Sequence, residues 1–494
     1  MSQIDPLHVV PSVRSHVIVS AAGALPANAS AVGVLVGPDG PVPDVVGLDR
    51  ATLEAHGFKG AVGDSLAIPR VGAATTVVVG SGEPGDDLRV AAAAFSRAAG
   101  RLNNLALAVP SDLLGDTPAL VAEALVEGAL LARYTYPVLK SEAPGVPVAS
   151  LTLVVDDPAA VSGGAARGQV LAGATALSRD LANTPHSHLS ATRFAELAKV
   201  LGPERGLEVE VFGPDELVEM RSAGLLAVNA GSAEEPRFIK LRYRPEGTPT
   251  GRLALVGKGL MYDSGGLSLK PSDPVHAQMK NDMSGAAAVF SAMCSLRDLE
   301  CTTEVTGFLH CTDNMPSGTA TALGDVITYR DGTTMEVHDT DAEGRIVLAD
   351  ALILAREEGH DAVIDIATLT GSAMRALGSE MAGLFVNNPE MATQMETAAA
   401  ASGEAVWELP LHRPYRKHID SLTADMMNCA PIGRPDAIIA ALFLAHFVKD
   451  TPWAHVDMCG PAQAEGSFGI NVPGCSGWGA RLLAHAALSF TPPT

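Results

Sequence analysis

Leu253–Lys270 reads LALVGKGLMYDSGGLSLK, and the fold class turns on its first five residues. Leu253–Gly257 is short and apolar throughout, which fits a strand covered on both faces of a sheet. Similar runs at Phe238–Tyr243, Val305–His310 and Ala362–Ala367 predict further strands, with helices at Gly285–Leu299 and Arg345–Glu357. Strands alternating with helices make an α/β architecture. Working outward, the N-terminal part repeats the alternation more weakly. Val32–Val36, Thr75–Val79, Leu105–Val109 and Leu151–Val155 read as strands and Arg89–Leu102 as a helix. The period breaks at Lys140–Val148. A helical stretch follows at Gly168–Leu181, and Ser190 reads as the N-cap of the next helix. The expectation is two α/β domains: a smaller one over 1–165, a linker helix over 166–190, and a larger one over 191–494 whose mixed sheet is flanked by helices.

Composition limits the partners. Of 494 residues, 47% are hydrophobic and 18% charged, so there is ample apolar surface to bury and no case for a disordered chain. Lys and Arg total 34 against 56 Asp and Glu, a formal charge of −22. Such a surface repels phosphate backbones and anionic headgroups, so neither nucleic acid nor membrane is an expected partner. The six cysteines form no CxxC pair and are too sparse for a disulfide scaffold, so they read as reduced, packed thiols. Ala437–Ala445 is too short an apolar run to span a bilayer, which needs about 20 residues. It reads as a buried helix with Asp436 as N-cap. Val17–Leu25 faintly resembles a signal peptide, but Ser20 and Gly23 interrupt it and Asp5 precedes it. The expected compartment is the cytoplasm.

Two motifs compete for the chemistry. Gly80–Gly85 (GSGEPG) matches the GxGxxG loop of dinucleotide-binding folds. Glu83 would set a negative charge beside the phosphates and Pro84 removes an N–H, so a plain glycine-rich turn is the better reading. The second constellation is more specific. Lys258 leaves the Leu253–Gly257 strand, Asp263 follows, Gly265-Gly266 permits a tight turn, and Lys270 comes seven residues after Asp263. Met279–Val289 (MKNDMSGAAAV) places Asp282 ahead of a helix. Asp339–Leu352 (DTDAEGRIVLADAL) carries Asp341, Glu343 and Arg345 at two-residue spacing, which in an extended loop aligns all three on one side. Singly, each could be surface charge. Embedded in Gly/Ala-rich sequence that reads as core, four carboxylates need cations. Two divalent metals would meet that need, as in two-metal hydrolases. A lysine can join as ligand only when neutral, which neighbouring dications favour. His310 and His338 lie near these motifs in sequence and read as packed or supporting groups. Ligation by carboxylates suits Mn2+ or Mg2+ as well as Zn2+.

These segments resemble the signature blocks of the leucyl (cytosol) aminopeptidase family. Asp339–Ile346 matches its most specific string, NTDAEGRL, and Gly224–Tyr243, Met315–Ala320, Thr368–Gly371 and Trp453–Ala462 add to the likeness. The resemblance covers about Asn183 to the C-terminus; the N-terminal part is similar only in size and α/β character. It implies a metal-dependent aminopeptidase that releases N-terminal leucine and other apolar residues from peptides with a free N-terminus. It further implies two divalent ions per subunit, a bridging water or hydroxide, and a homohexamer. Lys258, Asp263, Asp282, Asp341 and Glu343 match the metal ligands. Asp263 and Glu343 would bridge the ions, Lys258 and Asp282 complete the tighter site, and Asp341 the more exchangeable one. Lys270 would polarise the scissile carbonyl, and Arg345 would hold a bicarbonate that serves as general base. Met279, Thr368 and Gly371 match the pocket for the first side chain.

This chain departs from the family at three points. Asp339 replaces the usual Asn, adding a carboxylate on the leaving-group side. The loop between Lys270 and Asp282 is one residue longer, which reshapes the pocket near Met279. PGCSGWGARLL (Pro473–Leu483) replaces a commoner KGxTG pattern and puts Cys475 at a pocket position. Two other classes compete: a nucleotide-dependent oxidoreductase built on Gly80–Gly85, and a catalytically silent oligomeric binding protein. Copurifying nucleotide or metal separates the first from the hydrolase. The intact Asp/Glu/Lys/Arg set speaks against the second.

Overall fold

The computed structural model describes residues 5–142, 145–431 and 433–494, so Ala143 and Pro144 of the expected break lie outside the described residues. The chain forms two compact α/β units. One comprises 11–176 with 464–474; the other comprises 1–10, 177–463 and 475–494.

The smaller unit is built on six strands: β1 (Ile18–Ala22), β2 (Ala31–Val36), β3 (Ser65–Ile68), β4 (Thr75–Gly80), β5 (Asn104–Ala108) and β6 (Ser150–Val154). Their order is β1-β6-β5-β2-β4-β3, parallel except for the edge strand β3. Helices α1 (Leu88–Ala98) and α2 (Pro118–Leu131) cover it, packing Ala91, Phe95, Leu125 and Ala129 against Val77, Leu105 and Leu107. The loop from Gly80 to Gly85 is not a phosphate cradle. Four of its amides are already bonded within the protein: Gly80 to Asp64 O, Ser81 to Val36 O, Gly82 to Gly60 O and Glu83 to the Asp86 carboxylate. Asp87 caps α1 by accepting from Arg89 N, so a phosphate would meet the Asp86 and Asp87 carboxylates. Helix α3 (Pro158–Asn183) starts earlier than its apolar period suggests, and the division between the units falls within it, after Ala176.

The larger unit opens with α4 (Ala191–Glu204), capped by Ser190 as its sequence predicts. Eight strands form its main sheet: β7 (Leu207–Phe212), β8 (Arg237–Tyr243), β9 (Arg252–Asp263), β10 (Glu304–Asn314), β13 (Ala362–Ala367), β14 (Ala382–Val386), β15 (Val406–Glu408) and β17 (Trp453–Asp457). The order is β15-β14-β17-β13-β9-β10-β8-β7, with a parallel centre β17-β13-β9-β10 and antiparallel pairs at β14/β17, β8/β10 and β7/β8. A small sheet, β11 (Val326–Thr328), β12 (Thr334–Glu336) and β16 (Met426–Met427), stands apart. Helices α5 (Ala223–Asn229), α7 (Glu343–Glu357) and α9 (Asp436–Val448) share one core with Ala254, Val256, Phe308 and Val363. On the opposite face, α6 (Ser284–Met293) approaches so closely that Ala286 Cα lies 2.6 Å from where a Cβ on Gly257 would stand. Two-sided cover is why these strands are apolar throughout.

Three local expectations are corrected. Strands β9 and β10 run on to Asp263 and Asn314, well past the expected ends at Gly257 and His310, because their pairing continues through a β-bulge at Thr312/Asp313 and ends with Asn314 opposite Asp263. Helix α6 stops at Met293 rather than Leu299. Asp436 is the first residue inside α9, not its N-cap; Pro435 holds that place and the Asp436 carboxylate is drawn to Arg345. All six cysteines are free. Among the described residues, no helix is long and apolar enough to cross a membrane.

One buried carboxyl in this core has a measurable consequence. Asp350 of α7 accepts from Leu225 N at 2.8 Å, serving the N-terminus of α5 in place of a capping side chain. Burial pushes its pKa up to about 8, against the opposing pull of the Leu225 and Gly224 amides. The folded chain therefore keeps a proton that the unfolded chain releases near pH 4, and this contribution to stability is lost as pH rises toward 8. Asp350→Asn keeps an acceptor and removes the titration. Its unfolding free energy relative to the parent should climb through that window, with a slope of at most ~1.4 kcal/mol per pH unit. Parallel stability–pH curves for the two proteins would contradict this.

Candidate metal centre

The parallel strands β13, β9 and β10 deliver Thr368, Asp263 and Asn314 from their carboxyl ends, where open α/β sheets commonly bind ligands. Lys258 lies inside β9, not at its end, and is buried. Its Nζ stands 2.9 Å from Asp282 Oδ1, 2.8 Å from Thr368 O and 2.9 Å from Glu343 Oε1. The stem passes over Gly344, where a Cβ would sit 2.6 Å from Lys258 Cε, so any larger residue there would have to displace the end of the lysine. Lys270 Nζ bridges Asp263 Oδ2 at 2.7 Å and Asp341 Oδ1 at 2.6 Å. Ligand oxygens of Asp263, Asp341 and Glu343 lie within 4.8 Å of one another, and Lys258 ties Asp282 to Glu343 beside them.

Asp341, Glu343 and Arg345 do not lie on one extended edge. Helix α7 begins at Glu343, so the two-residue step turns Arg345 away from Glu343. Glu343 reaches Lys258, whereas Arg345 donates to Asn428 O at 3.1 Å and Asp436 Oδ1 at 3.0 Å. Thr368 gives its hydroxyl to Asp282 Oδ1 at 2.7 Å and its carbonyl to Lys258. Met279 begins the short turn that ends at Asp282, and Gly371 opens α8 (Gly371–Leu377). Cys475 is buried with its thiol on Ala182 O and its amide on Asn183 Oδ1, and burial pushes its pKa up to about 12. Asp339 is tied locally: its carboxylate accepts the Asp341 amide at 2.9 Å. His310 stacks on Phe238, centroids 4.4 Å apart, and burial lowers it to about 3; His338 donates only its amide, to Asn428. Neither joins the cluster.

The electrostatics ask for more cation than the side chains supply. Burial raises the Asp282 and Glu343 carboxyls above their ordinary range, with neighbouring carboxylates adding to it and Lys258 opposing it. Asp341 is pushed up to about 7 by burial, then by Asp263 and Glu343. Burial works against the Lys258 and Lys270 ammoniums, yet the carboxylates around them raise both pKa values overall. Glu343 Oε2 is buried without a hydrogen-bond partner among the described residues. Oxygen-rich, crowded and short of positive charge, these residues fit divalent cations.

Several positioning residues escape a reading by motif. Asn314 Nδ2 donates to Asp263 Oδ1 at 2.8 Å and Thr340 O at 2.9 Å. Asp457, at the end of β17, accepts from Leu369 N, Thr370 N and Thr370 Oγ1, fixing the loop that carries Thr368. Asn428 follows β16 and is fully buried. Its Oδ1 accepts from His338 N and Asp339 N, and its Nδ2 donates to Asp339 O and Ala342 O. One amide thus grips both sides of the loop bearing Asp341 and Glu343. Asn428→Ala should speed hydrogen exchange at the His338 and Asp339 amides and weaken Mn2+ binding, each by about tenfold or more. Unchanged exchange and unchanged Mn2+ affinity would remove Asn428 from this role.

Comparison with known proteins agrees with the geometry. Residues 176–484 match the catalytic-domain model of the cytosol aminopeptidase family, and 45–143 match its N-terminal-domain model. The N-terminal match extends a likeness that the sequence motifs limited to size and α/β character. A probable cytosol aminopeptidase of Chlorobium luteolum is 40% identical over 476 residues, covering 90% of this chain and 92% of its own. Another, from Gloeothece citriformis, is 38% identical over 417 residues, covering 84% and 85%. Among solved structures, the bottromycin maturation enzyme BotP in complex with Mn superposes with TM-score 0.85 at 37% identity, covering 93% of this chain and 99% of that one. A tomato leucine aminopeptidase mutant gives 0.87 at 29% identity, covering 96% and 97%. The chain belongs to the cytosol aminopeptidase family and is a metal-dependent aminopeptidase with that family's two-domain architecture.

Proposed function

We propose that the protein removes N-terminal leucine and other apolar residues from peptides by a two-metal mechanism, with Lys258, Asp263, Asp282, Asp341 and Glu343 as the ligands. The observation that carries this reading is the meeting of three buried carboxylates, Asp263, Asp282 and Glu343, and the more exposed Asp341 around two lysines, with Glu343 Oε2 left without a hydrogen-bond partner among the described residues. Divalent ions at such a site supply Lewis acidity toward a carbonyl oxygen and a hydroxide nucleophile at neutral pH. Mn2+ and Zn2+ suit the donor set, and Mg2+ is compatible.

The remaining roles fall to the chain itself. Lys258 must surrender its proton to serve as ligand, and full burial favours the neutral amine once carboxylate charge is met by metal. Lys270 is less buried and keeps its ammonium, placed beside Asp263 and Asp341 to stabilise negative charge on the scissile carbonyl oxygen. Met279, Thr368, Gly371 and Cys475 line the pocket for the first side chain. Thr368 acts there partly by orienting Asp282. We assign the protein to the cytoplasm as a homohexamer.

The test is hydrolysis of a panel of amino-acid amides by apo protein reloaded with Mn2+, Zn2+, Mg2+ or Co2+. Leucine amide should lead, and no activity with any metal would end this reading. Lys258→Ala and Glu343→Ala should lose bound metal by elemental analysis. Lys270→Ala should keep both ions and lose rate by about 10²–10³-fold, the scale of an oxyanion donor. Equal metal loss in the two lysine variants would refute the division of roles.

A further inference from the structure

The turn that carries Met279 and Asp282 is gripped through its two middle residues. Residues 271–275 ahead of it are exposed, so packing on that side does not fix it. Lys280 Nζ donates to Asn183 O at 2.7 Å. Asn183 is the last residue of α3, so its carbonyl is one of the acceptors that a helix leaves without an intrahelical donor, at the end where a cation is favoured. The next side chain, Asn281, is only 8% exposed, so its amide needs an acceptor inside the protein. Gln463 Oε1 accepts from Asn281 Nδ2 at 2.8 Å.

These two anchors are tied to each other. Asn183 Oδ1 accepts from Cys475 N at 3.1 Å. The following residue, Ser476, donates its amide to Ala462 O at 3.0 Å and its hydroxyl to Pro461 O at 2.5 Å, and Ala462 directly precedes Gln463. The contacts close a ring that runs from Lys280 through Asn183, Cys475-Ser476 and Ala462-Gln463 back to Asn281. None of its members is among the five proposed metal ligands. We propose that this ring positions the Met279–Asp282 turn, setting the Asp282 carboxylate for its metal and the Met279 side chain for the first residue of the peptide as one unit. Lys280, Asn281, Asn183 and Gln463 are positioning residues in it. The claim about Met279 rests on the aminopeptidase reading, whereas the claim about Asp282 needs only the metal.

Two measurements on the Mn2+-loaded protein test it: Mn2+ affinity, by competition with a chelator, and kcat/KM for leucine amide relative to alanine amide. Gln463→Leu and Lys280→Met should each weaken Mn2+ binding by about three- to tenfold, the scale of one hydrogen bond, and shift the leucine-to-alanine ratio by more than about twofold. Gln463→Glu keeps the acceptor for Asn281 and should stay within about twofold of the parent on both readouts. Cutting a ring twice frees little more than cutting it once, so the Lys280→Met/Gln463→Leu double variant should fall well short of the product of the two single losses. A merely structural pair would lower the melting temperature and leave Mn2+ affinity and the ratio unchanged. That result, or losses that multiply in the double variant, would overturn the proposal. If the parent hydrolyses neither amide, the aminopeptidase reading fails, and the chelator competition with the double variant still decides whether the ring positions Asp282.

Discussion

The architecture of the site depends on one buried ammonium. Lys258 sits inside a central strand, covered on both sides, and its charge is admissible only because Asp282, Glu343 and the Thr368 carbonyl converge on it. Those three partners come from three separate segments, so satisfying Lys258 fixes their mutual placement. Gly344 is the steric counterpart: the first turn of α7 can approach the lysine stem only where no side chain intervenes. Removing the lysine would strand buried carboxylates, and removing a carboxylate would strand the lysine.

Around that centre lies a layer of neutral and ionised hydrogen-bonding groups that hold its segments in place. Asn314 orients Asp263, Asp457 holds the loop carrying Thr368, and Asn428 clamps the loop carrying Asp341 and Glu343. The small sheet earns its place here, since β16 leads directly into Asn428. Each strand end is therefore secured by side chains as well as by ladder bonds. Such networks hold donor atoms in position without waiting for the ligand.

How much of this was legible in sequence follows from what each residue must do. The carboxylates and lysines stood out because charges in apolar, glycine-rich surroundings have few innocent explanations. The central strands were legible because cover on both faces makes them apolar, though the same logic ended them too early. Beyond Gly257 and His310, polar residues such as Lys258, Asp263, Thr312, Asp313 and Asn314 interrupt the apolar runs while the strands remain paired. Asn428, Asp457 and Asn314 were hidden because their importance is geometric: each acts on residues tens of positions away, and their types are unremarkable in a loop or at a strand end. At Asp436 the sequence signal is present but ambiguous. A carboxylate before an apolar helix reads as a cap, and only the tertiary structure reveals Arg345 opposite it.

Anomalous diffraction from crystals soaked in Mn2+ asks whether these four carboxylates and Lys258 hold two ions. Two peaks should appear, with Glu343 and Asp263 shared between them, Lys258 Nζ within coordinating distance of one, and Lys270 withdrawn from Asp341. A single peak, or two peaks with Lys258 still paired to Asp282 and Glu343 alone, would contradict the account.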